Sequence, residues 1–310
     1  MNLKGLDLNL LVTLNVLLEE RNITNAAKRL CLSQSGTSTA LMRLREFFKD
    51  ELLTTIGRRM VLTPLAQTMV DPVHAIVLQA QTLIDSTPGF KPETATRRFV
   101  VMASDYVATV FLSRVVERLA RDAPGIVLEI IPFATVPLEP LERGETDLLI
   151  IPEHYLSREH PSSQLFTERY VCVCWKGNER IQDELDFDTY MNSGHVLARF
   201  GKDRGMAFDE WFLERYERPR RIEAIVMNFT MLPHFVVNTQ RLSTMHARLA
   251  QTYAQFLPLR ICPLPFEMPL ITECMQWHRF SHRHPALIWL RSVILAVAAE
   301  AGGTAEAVAT

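Results

Sequence analysis

From Asp7 to Glu20 apolar side chains recur at Leu11, Leu14 and Leu18, with Leu10 and Leu17 widening the stripe, a spacing that predicts a core-facing helix capped by Asp7 or Asn9. A second, short helix with Thr24 as N-cap carries Ala26, Ala27 and Leu30, and its small alanines suit a tight crossing with the next helix. Leu32 and Ser33 close a turn, and Ser33 is placed to cap a third helix in which Thr37, Leu41, Leu44 and Phe48 share one side. At about 100° per residue the other side presents Ser35, Thr39, Met42, Arg43 and Glu46, with Gln34 in the first turn and Ser38 on the flank. Hydroxyls and amides can reach base edges in a major groove, arginine can reach guanine or phosphate, and a helix N-terminus offers phosphate-binding amides. The same face would also suit an ordinary solvated surface of a three-helix bundle.

The segment from Leu52 to Leu62 favours the first reading. Its pattern predicts two short strands around Gly57 with Arg58 and Arg59 at the tip, a winged hairpin that can sit on phosphates or in a minor groove. Thr63 as N-cap and Pro64 at the first helical position then open a long helix. Its apolar residues Leu65, Met69, Val73, Ile76, Ala80 and Leu83 stand at steps of four and three, the period of a helix-helix dimer seam and also of a single core-facing helix. Pro72 inside the stretch should kink it or split it in two.

Farther on, Phe99 to Ala103 is a short apolar run ending at Ser104 and Asp105, followed by helix-period residues Val107, Val110, Phe111, Val115 and Leu119. Val127 to Pro132 and Leu148 to Pro152 repeat the buried-strand pattern with Leu138 to Arg143 helical between them, which indicates an α/β sheet with crossover helices. A second block from Ser163 to about Pro265 has its own strands, after which the chain returns through Thr272 to Trp277 to a final helix from Pro285. Two lobes joined by two crossings enclose a cleft, the usual place for a small ligand. Strand ends supply the candidate lining: Ser104, Asp105 and Phe111 from one lobe, Phe200, Asn228, Phe229 and Met231 from the other, and Trp277 near the crossing. That mix is mostly apolar with a few polar anchors and favours a planar aromatic ligand, while each aromatic or methionine also fits plain core packing.

Composition narrows the class. At 310 residues and 48% hydrophobic content two or three folded units are expected. The first residues show no basic region leading into an apolar stretch, and no segment approaches the roughly 18 apolar residues of a membrane span, so a cytoplasmic location without membrane contact is expected. The net charge of -2 conceals an asymmetry: residues 1–62 hold nine basic and six acidic residues, leaving the remainder with 24 basic and 29 acidic. Five scattered cysteines make neither a disulfide framework nor a zinc pattern and read as reduced core fillers. Cys172 and Cys174 share one strand face, more in keeping with packing than with redox chemistry. His278, His282 and His284 lie near a polar turn without a carboxylate partner, so neither metal nor cofactor is expected. No hydrolase elbow, phosphate loop, dinucleotide fingerprint or zinc-enzyme helix occurs, and Gly201 to Gly205 is a polar loop. An enzyme or a transport receptor that binds an aromatic acid is the weaker alternative.

The order of helix, turn, recognition helix, wing and long helix resembles the LysR-type transcriptional regulators. The match is carried by Asp7-Leu8-Asn9-Leu10-Leu11, Ala26-Ala27, Leu32-Ser33-Gln34, Ser38, Leu44-Arg45 and Leu62-Thr63-Pro64. It continues into Arg97-Arg98-Phe99, Ser104-Asp105, Ala123-Pro124, Arg143 to Leu148, Arg169 to Cys172, Trp277-His278, Pro285 and Trp289-Leu290-Arg291. These stretches look like the branch holding the flavonoid-responsive nodulation regulators and the salicylate- and nitroaromatic-responsive catabolic regulators. A weaker likeness to the nodulation regulators lies at Gly194-His195-Val196 and Trp211-Phe212-Leu213. Ser35-Gly36 stand where the family commonly has proline-alanine, and glycine lowers helix propensity by roughly 1 kcal/mol relative to alanine.

The resemblance implies an α/β protein with an N-terminal all-α winged helix-turn-helix (1–63), a linker dimerisation helix (64–93) and a two-lobed, periplasmic-binding-protein-like effector domain (94–300). Lobe I would hold 94–162 and 268–300, lobe II 163–267, and 301–310 would be a flexible tail. DNA contacts are expected from Ser33, Gln34, Ser35, Ser38, Thr39, Arg43, Arg58 and Arg59. The implied partners are double-stranded promoter DNA, a small aromatic inducer, further copies of the chain as a dimer of dimers, and RNA polymerase. The expected function is activation of an operon for catabolism of phenols, chlorinated aromatics or hydroquinones, with flavonoid-responsive control of nodulation genes as the alternative.

Overall fold

The computed structural model describes residues 2–3, 6–57, 59–85, 90–133, 136–181, 184–200, 205–206 and 219–302. They fall into two compact units, residues 1–87 and 88–310. In the first, α1 (Asn9–Glu20), α2 (Ile23–Arg29) and α3 (Gln34–Phe48) precede the antiparallel pair β1 (Leu53–Ile56) and β2 (Arg59–Leu62) and the long α4 (Pro64–Asp85). Leu14, Leu17 and Leu18 of α1 are buried in one core with Ala26, Leu41 and Leu44, each leucine contributing about 1.5–3 kcal/mol relative to exposure. Asn22, and not Thr24, caps α2: its extended backbone, φ -155° and ψ 119°, lets its side chain accept from the Asn25 N–H at 3.0 Å.

The long helix bears on two expectations: of a kink or a split at Pro72, the split does not occur. α4 runs through Pro72 as a single element of 22 residues. Proline removes one backbone bond, but Met69 and Val70 before it and Val73 and Val77 after it all pack on the same core, which keeps both halves in one helix. The apolar stripe is also divided between two destinations. Val73 is buried and Met69 packs against the core, whereas Leu65, Ile76, Leu83 and the neighbouring Ile84 are 41%, 50%, 77% and 78% exposed.

In the second unit β3 (Arg97–Met102) leads into a helical run of α5 (Asp105–Val107), a π-helical turn at Ala108–Leu112 and α6 (Ser113–Asp122). The wider turn keeps Val107, Phe111, Val115 and Leu119, which recur at every fourth residue, on the buried side. The chain continues through β4 (Ile126–Ile131), α7 (Leu138–Glu142), β5 (Leu148–Pro152), β6 (Ser162–Glu168), β7 (Tyr170–Trp175), α8 (Phe187–Asn192), β8 (Gly194–Phe200) and β9 (Arg221–Val226). It closes with α9 (Leu232–Val236), β10 (Leu242–His246), α10 (Ala247–Ala254), β11 (Leu259–Cys262), β12 (Ile271–Gln276) and α11 (Pro285–Gly302).

Two sheets result. The first has the order β4-β3-β5-β12-β6, with β3 parallel to β4 and β5, and β12 antiparallel to β5 and β6. The second has the order β8-β10-β7-β11, with β9 parallel to β8 on another edge and Gly205–Met206 antiparallel to β8. This places the lobe boundary later than residue 163. β6 belongs to the first sheet because it pairs with β12 from Ser162↔Gln276 to Glu168↔Ile271, so the first crossing is the single residue Arg169. The second crossing spans residues 263–270. α11 extends through Gly302, and residues 303–310 of the expected tail lie outside the described residues, as do Arg58, Gly201 to Arg204 and Trp211-Phe212-Leu213. No helix among the described residues is long and apolar enough to cross a membrane.

Candidate functional site

On the face of α3 that the sequence assigns to DNA, the side chains divide into two kinds. Ser33 caps α3, its Oγ accepting from the Gly36 N–H at 3.0 Å and lying 3.1 Å from the Ser35 Oγ. The Thr39 hydroxyl donates to the Ser35 carbonyl at 3.0 Å. Gln34, Ser38 and Arg43 are exposed, and no hydrogen bond or ion pair among the described residues engages their side chains. Arg59 is exposed at the wing, where Gly57 takes the left-handed turn at φ 64°. The sequence reading missed Arg45: its Nε donates to the Glu51 carbonyl at 2.8 Å and its Nη2 to the Leu53 carbonyl at 2.7 Å, tying α3 to the wing. Asp50 completes that joint, accepting from the Leu52 N–H and the Thr63 hydroxyl, both at 2.6 Å.

This division assigns different expected losses. If Ser38 reads a base as the sequence predicts, Ser38→Ala should weaken a specific site by about 1 kcal/mol and spare random DNA, because only base contacts carry sequence. If Arg59 contacts phosphate, Arg59→Ala should weaken both and lower the slope of log affinity against log salt by about one. Titrations of specific and random duplexes at two salt concentrations check this; equal losses on both duplexes for both variants would discard it.

In the second unit Ser104 and Asp105 end β3 and start α5. The Ser104 Oγ accepts from the Val107 N–H at 3.2 Å. Asp105 reaches the other lobe, accepting from the Phe229 N–H at 3.3 Å and the Thr230 N–H at 2.7 Å, the first amides of the 3-10 turn Phe229–Met231. Asn228 precedes that turn, and its Oδ1 is buried with no hydrogen-bond partner among the described residues. Phe229 and Met231 are half-buried against the core shared by both lobes. Thus Ser104, Asp105, Asn228, Phe229 and Met231 form one neighbourhood. Phe200 ends β8, and its side chain lies outside the described residues.

Phe111 and Trp277 sit elsewhere. Phe111 is 2% exposed and packs on Phe166 with ring centroids 5.1 Å apart. Trp277 is 5% exposed; its Nε1 donates to His282 Nδ1 at 3.1 Å and Arg291 lies over its ring at 4.1 Å. Both are core side chains in this state, as the helical stride through Phe111 had indicated.

Beside Asp105 is a polar cluster absent from the sequence reading. The buried Tyr106 hydroxyl donates to Glu168 Oε2 at 2.6 Å, and the Arg169 N–H at the crossing donates to Glu168 Oε1 at 2.8 Å. Arg248 Nε lies 3.7 Å from Glu168 Oε2. His246 stacks on Tyr106 with centroids 3.8 Å apart and planes at 6°. Burial, and then the nearby Glu168 charge, push the Glu273 carboxyl up to about 8. Burial raises Glu168 against the lowering effect of its Tyr106, Arg169 and Arg248 partners, and pushes His246 down to about 3. A glutamate inside the otherwise short-chained strand Ile271-Thr272-Glu273-Cys274 was the available signal. No group of three metal-ligating side chains among the described residues is arranged to hold a metal ion.

Residues 8–67 match the bacterial regulatory helix-turn-helix protein, lysR family, and residues 92–299 match the LysR substrate binding domain. The chain belongs to the LysR family. It is 43% identical over 302 residues to nodulation protein D 1 of Bradyrhizobium elkanii, covering 97% of this chain and 96% of that protein. It is 44% identical over 295 residues to nodulation protein D 1 of Rhizobium tropici, covering 95% and 96%. Among solved structures it resembles a probable transcriptional regulator from Pseudomonas aeruginosa, with TM-score 0.64, 27% identity and coverage of 94% and 97%.

As a LysR-family member the chain is a DNA-binding transcriptional regulator and not an enzyme. The reader residues fall within the first matched segment, and the neighbourhood around Asp105 and Asn228 falls within the second.

Proposed function

We propose that this LysR regulator controls nodulation-type genes in response to a flavonoid, acting in the cytoplasm as a homo-oligomer on promoter DNA. The observation that carries this reading is identity above 40% to nodulation protein D 1 across both domains, which favours the flavonoid alternative over the aromatic-catabolic operon. The chemistry near Asp105 is compatible: the Phe229 ring and the Met231 thioether suit a planar aromatic. Ser104 and the unpartnered Asn228 Oδ1 offer hydrogen bonds to phenolic hydroxyls. Ligand in this neighbourhood shifts the angle between lobes, relaxes a bend imposed on the DNA and lets polymerase engage.

The test is a thermal-shift series on the full chain with flavones, flavanones, salicylate and chlorophenols. The expected result is a rise in melting temperature with flavonoids, diminished in Asn228→Leu. A rise confined to salicylate or chlorophenols would return the assignment to aromatic catabolism.

Assembly through α4 has its own test. Ile76→Ser with Leu83→Ser alters exposed side chains, so the reader should remain folded while the light-scattering mass falls by half or more. An unchanged mass would discard the α4 seam.

A further inference from the structure

We propose that His74 is a positioning residue for DNA reading: it bolts α4 to the reader at one register and so fixes the spacing of the two half-sites that a pair of chains recognises. The inference rests on the pairing of two copies through α4 proposed above, and not on the inducer.

Most of what α4 gives the first core is apolar: Met69, Val70, Val73 and Val77 join the cluster that holds Leu10, Leu14 and Leu17 of α1. His74 stands among them with its side chain largely buried. Its Nδ1 lies 3.2 Å from Asn15 Oδ1 and 3.3 Å from Glu19 Oε1. Both are acceptors, so Nδ1 carries the proton and donates. Asn15 Nδ2 donates to the same Glu19 oxygen at 2.9 Å, one turn along α1. The other Glu19 oxygen lies 2.6 Å from Arg29 Nη1 of α2, which also donates to Glu20 Oε1 at 3.2 Å. Burial would raise the Glu19 carboxyl, but His74 and Arg29 together hold it below its ordinary value. One carboxylate thus ties α4 to α1 and to α2, and α2 packs in turn on α3.

Apolar packing tolerates a helix that slides or turns slightly, because methyl groups attract in every direction. A directional polar contact inside an apolar seam does not, and fixing a register is the best-attested use of one. The position of His74 adds to this. Pro72 removes the backbone donor to the Thr68 carbonyl, so α4 is weakest in the turn just before His74. The contact therefore anchors the half of the helix that carries the exposed Ile76 and Leu83. At about 100° per residue those two point about 160–180° away from His74. One face of α4 is left for a partner copy while the opposite face is bolted to the reader. A turn of α4 against the reader would swing each recognition helix relative to its counterpart, and half-site spacing follows that geometry.

The experiment selects duplexes from a random pool with the full chain, then measures affinity for the selected site and for versions with a base pair inserted or deleted between the half-sites. Wild-type protein should prefer the selected spacing by on the order of tenfold. His74→Leu leaves Glu19 paired with Arg29 and Asn15, so no carboxylate is stranded. It should keep the light-scattering mass and the half-site sequence, with the spacing preference reduced to about twofold or less. His74→Asn sets an N–H near the place of Nδ1 and should restore the preference. Asn15→Leu removes the other end of the bolt and should relax the spacing in the same way, which supplies the test if His74→Leu melts below the assay temperature. A folded leucine variant at either position with the wild-type spacing preference would overturn the proposal. So would an equal loss of affinity at every spacing, the mark of a residue that only holds the fold, or wild-type protein indifferent to spacing. Failure of the α4 seam is read separately, as an unchanged mass in the Ile76→Ser, Leu83→Ser protein.

Discussion

Asp105→Ala should lower the melting temperature of the sensor unit by on the order of 5–10 °C and abolish the response to ligand while sparing affinity for random DNA. Asp105 is the acceptor for two N–H groups at the start of the 3-10 turn, at 3.3 and 2.7 Å, and these amides have no partner within their own helix. Hydrogen bonds to a charged group contribute about 1.5–3 kcal/mol each, and stranded donors add a desolvation cost. A net loss of about 2–4 kcal/mol corresponds to that drop for a unit of this size. Because the bonds run from one lobe to the other, their loss also frees the angle that ligand is proposed to set. Asp105→Asn keeps one oxygen acceptor and should fall between. Scanning calorimetry with a DNA-binding titration checks both parts; an unchanged melting temperature would remove Asp105 as the latch.

Glu273→Gln should stabilise the protein, and the gain should grow with pH. The carboxyl titrates near 8 in the folded state against an ordinary 4.5. A raised acid favours the folded state fully below 4.5 and loses that advantage as pH rises to 8, by at most about 1.4 kcal/mol per pH unit. Glutamine retains the shape of the protonated acid and has nothing to ionise, so melting curves of the two proteins should coincide near pH 4.5 and separate up to pH 8. His246 slopes the other way: held at about 3 against 6.5, it supports stability above 6.5 and withdraws it as pH falls toward 3. His195, held at about 4 by burial, acts in the same sense. The substitution should therefore move the alkaline flank alone. A gap independent of pH, measured by fluorimetry, would mean that Glu273 carries no titration penalty.

Local signals read well because they depend on neighbours in sequence. Ser33 as a cap, the leucine face of α1, the glycine of the wing and the strands at Phe99 and Leu148 were all legible from patterns a few residues long. Thr24 misled because Asn22, Thr24 and Asn25 are all capping types, and only backbone geometry selects among them. At Pro72 the split that a local rule allows does not occur, because residues on both sides of it pack on one core. The lobe boundary failed for a different reason. β6 joins its sheet by pairing with β12, about a hundred residues later, and a strand carries no mark of which sheet will receive it. The polar cluster is likewise long-range: Tyr106 and Glu168 are 62 positions apart, and Asp105 and Thr230 are 125 apart. The Asp105 neighbourhood was half legible, since the strand end exposed Ser104 and Asp105 while nothing local said that the carboxylate would be spent on the backbone of the other lobe.

Glu168 and Ile271 are cross-strand partners, so the chain leaves the first sheet and re-enters it at one register pair. The second lobe is in effect a cassette with both ends at a single hinge-side port. Exchanging residues 169–270 for the same span of a relative would keep the first sheet continuous, provided the incoming lobe offers backbone amides to Asp105. Inducer preference could then be transplanted by a two-junction swap, and the same port would accept a circularly permuted fluorescent protein as a reporter of lobe movement.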